Sequence, residues 1–287
     1  MQNLRLKSYK TLIFLMLVLT IVGCGKKNDE TKSKSFMIKG SDTMVQLMSL
    51  LSESYMKTNP ENKISITGGG SGTGISALLN GTTDICASSR DIEEKEISIG
   101  KAKNIVPVSI VIANDGLAVV VHKDNPINEL TMEQVKKIYT GEYKNWKDLG
   151  GQDQPIDVYS RESSSGTYKF FQEHVLNKKD YAKEVKLMPS TQTIIQSVSD
   201  SKWAVGYSGL GYTKNANIKI LGIKKDDSSP VVMPSDKTVL DKTYSIARPL
   251  YLIFNGEPKD ELKKFVDFCI SEAGQKIVEE SGYVKVK

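Results

Sequence analysis

Residues 160–171 read SRESSSGTYKFF. The stretch places Arg161 and a run of small hydroxylated residues directly ahead of a periodic, aromatic-rich segment. Ser, Gly and Thr are disfavoured inside helices but favoured at helix entrances, where side-chain oxygens meet backbone N–H groups that lack an intrahelical partner. The stretch therefore predicts a turn that leads into a helix. An ordinary N-cap on a surface loop would explain it, and so would an anion site.

Two other segments repeat this arrangement of a strand, a Gly/Ser/Thr turn and a helix start. Residues 39–47 read KGSDTMVQL, and residues 67–79 read TGGGSGTGISALL. One such turn has little significance by itself. If all three turns converged, their N–H and O–H donors and the helix dipoles would be aimed at one point, which is how proteins hold a dehydrated oxyanion.

The pattern of the whole chain alternates short apolar runs with helical segments, which predicts an α/β fold with mostly parallel sheets. The segment 42–57 has helical periodicity and ends before a proline. Asn114-Asp115-Gly116 predicts a turn between two strands. NIKILGI, residues 217–223, reads as one strand, and residues 258–280 read as one C-terminal helix. In open α/β sheets, ligands bind where such turns follow the carboxyl ends of strands.

The N-terminus has the composition of a signal peptide. Three cations and no acid precede the apolar run TLIFLMLVLTIVG, which is short for a membrane span. The residues IVGC, 21–24, resemble a lipobox, so we expect cleavage after residue 23 and lipidation of Cys24. A plain secretory signal is the alternative. The polar residues 24–35 predict a flexible tether.

Composition argues against several classes of function. The 264 residues from Cys24 onward carry 36 Lys and Arg against 34 Asp and Glu, without a basic stripe, so we expect no nucleic-acid partner. Two histidines and no cysteine or acidic cluster at ligand spacing give no support for a metal site, and no cofactor is expected. Cys86 and Cys269 lie in apolar contexts that suit buried free thiols.

Several motifs resemble one family when taken in order. GSDTM (40–44), GGGSGTG (68–74), DICASSR (84–90) and SRESSSGTY (160–168), followed by WAVGYSGLGY (203–212) and YSIARPLYLIFN (244–255), are similar to the phosphate-binding proteins of bacterial phosphate ABC importers, the PstS group. The resemblance runs from about residue 36 to the C-terminus. Each string is weak alone, but their order and spacing are fairly specific.

The resemblance implies a two-lobed periplasmic-binding-protein fold of type II that closes around one inorganic phosphate and delivers it to a membrane permease. Residues 36–113 and 250–287 would form lobe I and residues 117–243 lobe II, with hinges near 113–117 and 244–250. The protein would be extracytoplasmic, held at the cell membrane by its N-terminal lipid, and monomeric.

The resemblance also implies a set of ligand contacts. The matching positions are Ser41, Thr43, Met44, Ser71, Ser89, Arg161, Ser165, Gly166 and Thr167, with Asp42, Gly72, Arg90 and Ser163 as weaker candidates. Arg161 would supply the main positive charge. Two positions depart from the family pattern: Ser163 replaces an aspartate that orients the arginine, and Ser89 replaces an aspartate that accepts the phosphate proton. Asp42 and Ser89 are therefore both candidates for that acceptor. An N-cap is the alternative for Asp42, and a structural ion pair is the alternative for Arg90.

Other oxyanions and other classes of function stay open. Sulfate and molybdate share the tetrahedral shape of phosphate, and a neutral serine does not repel sulfate by charge. A secreted phosphatase-like hydrolase is the alternative outside binding proteins. However, no nucleophile elbow surrounds Ser71, and Ser54 and Lys57, which match S-x-x-K, lie within a helix without companion motifs. We therefore expect a binding protein and not an enzyme.

Overall fold

The computed structural model describes residues 34–286. The predicted signal peptide, the lipidation site at Cys24 and most of the predicted tether lie outside these residues. Strands β1 to β11 of the described part span Lys34–Gly40, Asn62–Thr67, Ile85–Ser88, Pro107–His122, Glu129–Thr131, Asp157–Arg161, Lys186–Met188, Ala204–Gly209, Ile218–Ile220, Gly222–Lys224 and Ala247–Asn255. Helices α1 to α9 span Val45–Thr58, Ser71–Leu79, Glu94–Ala102, Met132–Tyr139, Gly166–His174, Thr191–Asp200, Asp236–Leu240, Asp260–Ile270 and Glu272–Glu280.

Nine of these strands form one mixed sheet. Eight follow the order β2-β1-β3-β11-β4-β8-β6-β7, and β9 pairs with β4, while β5 and β10 form a separate two-stranded sheet. We call β1, β2 and β3 the first sheet half and β6, β7 and β8 the second sheet half. Pairing is parallel within each half and antiparallel along β11 and β4, which join them. The α/β prediction is confirmed, but the sheet is mixed rather than mostly parallel.

Strand β4 differs from its prediction because it does not turn at Asn114-Asp115-Gly116. It runs unbroken for 16 residues, pairing with β11 up to Gly116 and with β8 from Leu117 onward. The two partners bond to successive parts of the strand and so support its extended form on both sides of Gly116. The Asn-Asp-Gly signal was therefore overridden by tertiary pairing, and Asp115 became a buried residue within a strand.

The hydrophobic cores follow the same division into two sheet halves. One core cluster joins α1 to β1, β3, α8 and the parts of β4 and β11 near the first half, with Leu47, Met48, Leu51 and Tyr55 buried as the periodicity predicts. A second cluster packs around Tyr139, Trp146, Phe171 and Tyr207 beside the second half. Each half of the sheet thus has a core of its own, and β4 and β11 run from one to the other.

Two further elements differ in their bounds. The single strand predicted at residues 217–223 is divided into β9 and β10, which lie in different sheets. The single helix predicted at the C-terminus is interrupted at Ser271, whose side chain accepts a hydrogen bond from the Gly274 N–H and so begins α9. None of the helices between residues 34 and 286 is long and apolar enough to cross a membrane.

Candidate functional site

The three Gly/Ser/Thr turns converge between the two sheet halves. One turn follows β1, one follows β2 and leads into α2, and one follows β6 and leads into α5. The end of β3, at Ser88 and Ser89, joins them. The parallel strands of the first half place the turns after β1, β2 and β3 at one edge of that half. Strand β6 of the second half runs in the opposite direction, because three antiparallel pairings separate it from β3, and the turn after its carboxyl end meets the other turns from the opposite side.

Serine hydroxyls form the centre of this convergence. Ser41 Oγ donates to Ser89 Oγ at 3.0 Å, and Ser71 Oγ lies 3.3 Å from Ser89 Oγ. The Ser89 N–H also donates to Ser71 Oγ at 3.0 Å. All three side chains are buried. We call Ser41, Ser71 and Ser89 together with Thr43 and Thr167 the hydroxyl cluster.

The threonines extend the cluster across the molecule. Thr43 Oγ1 from the first half lies 2.8 Å from Thr167 Oγ1 of α5. Gly166 makes this approach possible, because a Cβ at that position would lie 2.3 Å from Ser71 Oγ and 2.8 Å from Ser89 Oγ. The cluster is therefore assembled from both halves, and glycine at residue 166 is required by the close approach.

Two helix N-termini begin at this cluster. Helix α2 begins at Ser71 and α5 at Gly166, and the first-turn N–H groups of a helix have no acceptor within that helix. Together with the helix dipoles, they give the cluster a surplus of donors and a partial positive charge. Neutral hydroxyls can donate or accept, so the arrangement suits an oxyanion that carries a proton.

A second set of contacts fixes the turns against each other. The Gly72 N–H donates to the Ser164 carbonyl at 3.0 Å, and Ser164 Oγ donates to the Gly69 carbonyl at 3.3 Å. A Cβ on Gly70, whose φ is +102°, would lie 2.5 Å from the Ser164 carbonyl oxygen. The turn before α2 is therefore packed directly on the turn before α5.

Arg161 is held by protein groups. Its guanidinium donates to the Met188 and Pro189 carbonyls at 3.3 and 3.0 Å and to Thr191 Oγ1 at 2.8 Å, and it lies 3.1 Å from Asp42 Oδ2. Three of its five N–H groups are thus used in hydrogen bonds, and Nη1, which carries one of the other two, also forms the ion pair with Asp42. Burial lowers the pKa of Arg161, and Asp42 counteracts this. The acid that lies against Arg161 is therefore Asp42, which comes from another segment, while residue 163 is a serine.

Asp42 does not cap its own helix. No side-chain cap bond precedes the 3-10 turn Asp42–Met44. Its carboxylate instead accepts from the Thr191 N–H at 2.7 Å and pairs with Arg161. Both partners belong to the second sheet half or its helices. The N-cap alternative considered for Asp42 is therefore wrong for its own helix.

Four other predicted residues do not offer their polar groups to the cluster. The Met44 N–H donates to the Ser41 carbonyl at 3.0 Å, and the Gly72 N–H is used by Ser164. Ser163 is exposed. Ser165 is buried, but its hydroxyl accepts from the Thr167 and Tyr168 N–H groups and so caps α5.

Arg90 forms an ion pair next to the site. Its two terminal nitrogens lie 2.9 and 2.7 Å from the two carboxylate oxygens of Glu96, and one also donates to the Asp91 carbonyl at 2.7 Å. This bidentate geometry fixes the guanidinium. Burial lowers the pKa of Arg90, but the hydrogen bond and the charge of Glu96 outweigh it, so the pKa is raised overall.

A buried ion pair that was not predicted from the sequence lies behind the cluster. Arg248 donates from Nε and Nη2 to Asp115 Oδ2 at 3.2 and 2.9 Å, and from Nη1 to the Ser89 carbonyl at 3.1 Å. Asp115 also accepts from the Leu210 N–H at 3.1 Å. Burial raises the pKa of Asp115, while Arg248 opposes that shift. The one available signal was Arg248 within the mostly apolar segment 247–255, since Asp115 lies in an Asn-Asp-Gly sequence that reads locally as a turn.

The comparisons with known proteins agree with this geometry. A family model described as a PBP superfamily domain matches residues 25–273. The phosphate-binding protein PstS of Pseudomonas aeruginosa is 35% identical over 262 residues, covering 85% of this chain and 81% of that protein. The protein of the same name from Staphylococcus haemolyticus is 36% identical over 253 residues, covering 86% of this chain and 79% of that protein. The chain belongs to the PstS group of the PBP superfamily.

A solved structure extends the comparison to the fold. It contains a phosphate ABC transporter substrate-binding protein from Clostridium perfringens with bound phosphate. It is 33% identical, has a TM-score of 0.81 and covers 88% of this chain and 100% of that one. The PstS group and this structure confirm the two-lobed periplasmic-binding-protein fold that the motifs predicted. The order of the motifs along the chain was thus a reliable signal.

Proposed function

We propose that this chain is an extracytoplasmic solute-binding protein that holds one inorganic phosphate between its two lobes and delivers it to the permease of an ABC importer. The observation that carries the proposal is the hydroxyl cluster. Five buried hydroxyls from four separate segments form two hydrogen-bonded groups beside two helix N-termini: the three serines, joined through Ser89, and the pair of threonines. The names of the relatives and the phosphate bound in the Clostridium perfringens protein support the same ligand.

The proposed phosphate contacts follow from this arrangement. Hydroxyls of the cluster surround the anion together with those first-turn N–H groups of α2 and α5 that are not bonded to Ser164 or Ser165, and the Arg161 guanidinium supplies positive charge. Phosphate near pH 7 carries at least one proton and sulfate carries none, so a site that prefers phosphate needs a hydrogen-bond acceptor for that proton. We propose Ser89 as this acceptor, because it lies at the centre of the cluster and its hydroxyl can accept.

The surroundings of the three serines favour ligand binding over catalysis. His122 lies beside Asp124, and His174 packs against Phe170 with its ring tilted, so these contacts of the two histidines are made away from the cluster. The three serines bond to each other and to the backbone in the absence of a general base. This supports the proposal that the protein is a carrier, as does the name phosphate-binding protein that its relatives have.

Location and lobe boundaries are part of the proposal. Cleavage after residue 23 and lipidation of Cys24 would anchor a monomer at the cell membrane, and residues 24–35 would serve as its tether. We propose lobe I at 36–113 and 250–287, lobe II at 117–243, and hinges near 113–117 and 244–250. The pairing of Gly116 with Ala247 and of Ala113 with Leu250 supports hinges that move together.

Isothermal titration of the dialysed protein tests this function. We expect a one-to-one heat of binding with phosphate, and much weaker binding of sulfate and molybdate under the same conditions. Incubation with a chromogenic phosphate ester should release no product. Binding of sulfate as tight as that of phosphate would overturn the phosphate assignment, and ester hydrolysis would overturn the assignment to a carrier.

A further inference from the structure

Asp42 contacts the second sheet half through both its side chain and its main chain. The turn that contains it follows β1 of the first half. Its Oδ2 lies 3.1 Å from an Arg161 terminal nitrogen at the end of β6 and accepts from the Thr191 N–H at 2.7 Å. Its main-chain carbonyl accepts from the Tyr212 hydroxyl at 2.9 Å. Tyr212 lies in the 3-10 turn that follows β8.

The Thr191 N–H belongs to the first turn of α6, where backbone donors lack intrahelical acceptors. Ser190 caps this helix by accepting from the Thr193 N–H, so it does not use the Thr191 N–H. The Asp42 carboxylate fills that place from the opposite half. Negative charge at a helix N-terminus is stabilised by the helix dipole.

The charge of Arg161 reinforces this contact. The guanidinium bonds to Thr191 Oγ1 and to the carbonyls just before α6, so Arg161 and the start of α6 form one rigid, positively charged surface. The Arg161 side chain is only 3% exposed, and an arginine so buried needs a countercharge. Among the salt bridges of the described residues, Asp42 is the acid that pairs with it.

We propose that Asp42 is a latch between the two halves rather than the acceptor of the ligand's proton. It is a positioning residue: it stabilises the arrangement in which Thr43 meets Thr167 and the cluster is complete. Loss of the Asp42 charge should therefore weaken the binding of every anion that needs the closed cluster, and the affinity of each should fall by the same factor. The choice of anions rests on the proposed function.

The test compares Asp42→Asn and Tyr212→Phe with the wild type. Tyr212→Phe removes a hydrogen bond to the Asp42 carbonyl but leaves the Asp42 carboxylate unchanged. It therefore weakens the contact between the two halves without removing a possible acceptor of the ligand's proton. Asp267→Asn is the matched control, because Asp267 forms an exposed pair with Lys263 on α8. Phosphate and sulfate affinities are measured by competition titration, dissociation by rapid mixing, and the radius of gyration by X-ray scattering without ligand.

We expect Asp42→Asn to weaken phosphate and sulfate alike by about 10- to 100-fold, mostly through faster dissociation. Tyr212→Phe should weaken the binding of both anions by about fivefold, which corresponds to the loss of one neutral hydrogen bond. Both should enlarge the ligand-free radius of gyration, while the control changes nothing. A shift of the phosphate-to-sulfate ratio toward sulfate in Asp42→Asn would overturn the latch, because Asp42 would then be the proton acceptor.

Failure of the proposed function gives a different result. If the wild type binds neither anion, the phosphate assignment fails, and scattering alone decides the latch. A larger radius for Asp42→Asn and Tyr212→Phe than for Asp267→Asn would support it. Equal radii for all four proteins would overturn it.

Discussion

Ser89 contacts both other serines of the hydroxyl cluster, and its main-chain carbonyl accepts from Arg248. At this position a carboxylate would add a fixed negative charge, whereas a hydroxyl can donate or accept as its neighbours require. At the residue scale, the site therefore depends on small side chains whose hydroxyl groups can rotate. It also depends on Gly166, which lets the start of α5 approach Ser71 and Ser89.

Ser89→Ala tests the central hydroxyl. Removal of one hydrogen bond to a charged ligand should weaken phosphate binding by about 1.5–3 kcal/mol. The fold should be unaffected, because alanine fits within the volume of serine. Calorimetry of this variant beside Ser163→Ala, an exposed serine of the Arg161 turn, measures the effect. Equal affinity of the two variants would contradict the role of Ser89.

Gly166→Ala tests the close approach. The new methyl group would lie 2.3 Å from Ser71 Oγ, so the two halves could not meet without a shift. Overpacking of this kind costs about 1–3 kcal/mol, and we expect phosphate affinity to fall accordingly. Alanine favours helices over glycine, so thermal unfolding should show little loss. A full-affinity variant would show that the cluster tolerates a wider spacing.

At the scale of elements, capping and ion pairs place the helices that carry the site. Ser165 caps α5, and Thr131 with Gln134 forms a capping box on α4. Helix α8 is attached to the first strand by charge: Glu261 Oε1 accepts from Lys34 on β1 and, at 3.0 Å, from Lys264. These two lysines lower the pKa of Glu261 to about 2.

Glu261→Gln should reveal this attachment through its pH dependence. Because the folded state lowers the pKa of Glu261 below its value in the unfolded chain, its stabilising effect is present above pH 4.5 and is lost as the pH falls toward 2. The variant should melt below the wild type at pH 7 and together with it near pH 2. Glu53→Gln, at an exposed pair with Lys57, is the control. A difference that stays constant with pH would exclude the charge as its cause.

At the scale of the whole molecule, β4 and β11 connect the two cores. A buried ion pair joins these two strands where they pass from one half of the sheet to the other. Arg248 and Asp115 face each other in the antiparallel register, and both side chains are at most 1% exposed. Through the Ser89 carbonyl and the Leu210 N–H, the pair contacts the cluster on one side and the turn after β8 on the other.

Asp115→Asn should destabilise the protein strongly. The substitution leaves Arg248 buried without a countercharge, which costs about 3–5 kcal/mol. Urea unfolding of this variant and of Asp267→Asn, the same change at an exposed pair, measures the difference. The double variant Asp115→Leu/Arg248→Met should recover part of the loss, because no unpaired charge remains. A loss of less than about 1 kcal/mol in Asp115→Asn would contradict the pairing, since that is the size of an exposed pair.

The sequence by itself determined the local structure around the site. Hydrophobic periodicity placed α1, the small hydroxylated residues before Tyr168 placed the start of α5, and the three Gly/Ser/Thr turns marked the ends of strands where an anion can bind. These features follow from the propensities of adjacent residues. The order of the motifs also indicated the family, which the comparisons confirmed.

Tertiary structure alone decided which charges meet. Arg161 pairs with Asp42, which lies 119 residues earlier, and Asp115 pairs with Arg248, 133 residues later, so no local pattern could reveal either partner. The same is true of β4, whose central Asn-Asp-Gly reads locally as a turn. Its extended form depends on two strands that pair with its successive parts, because only hydrogen bonds to distant strands satisfy the backbone there.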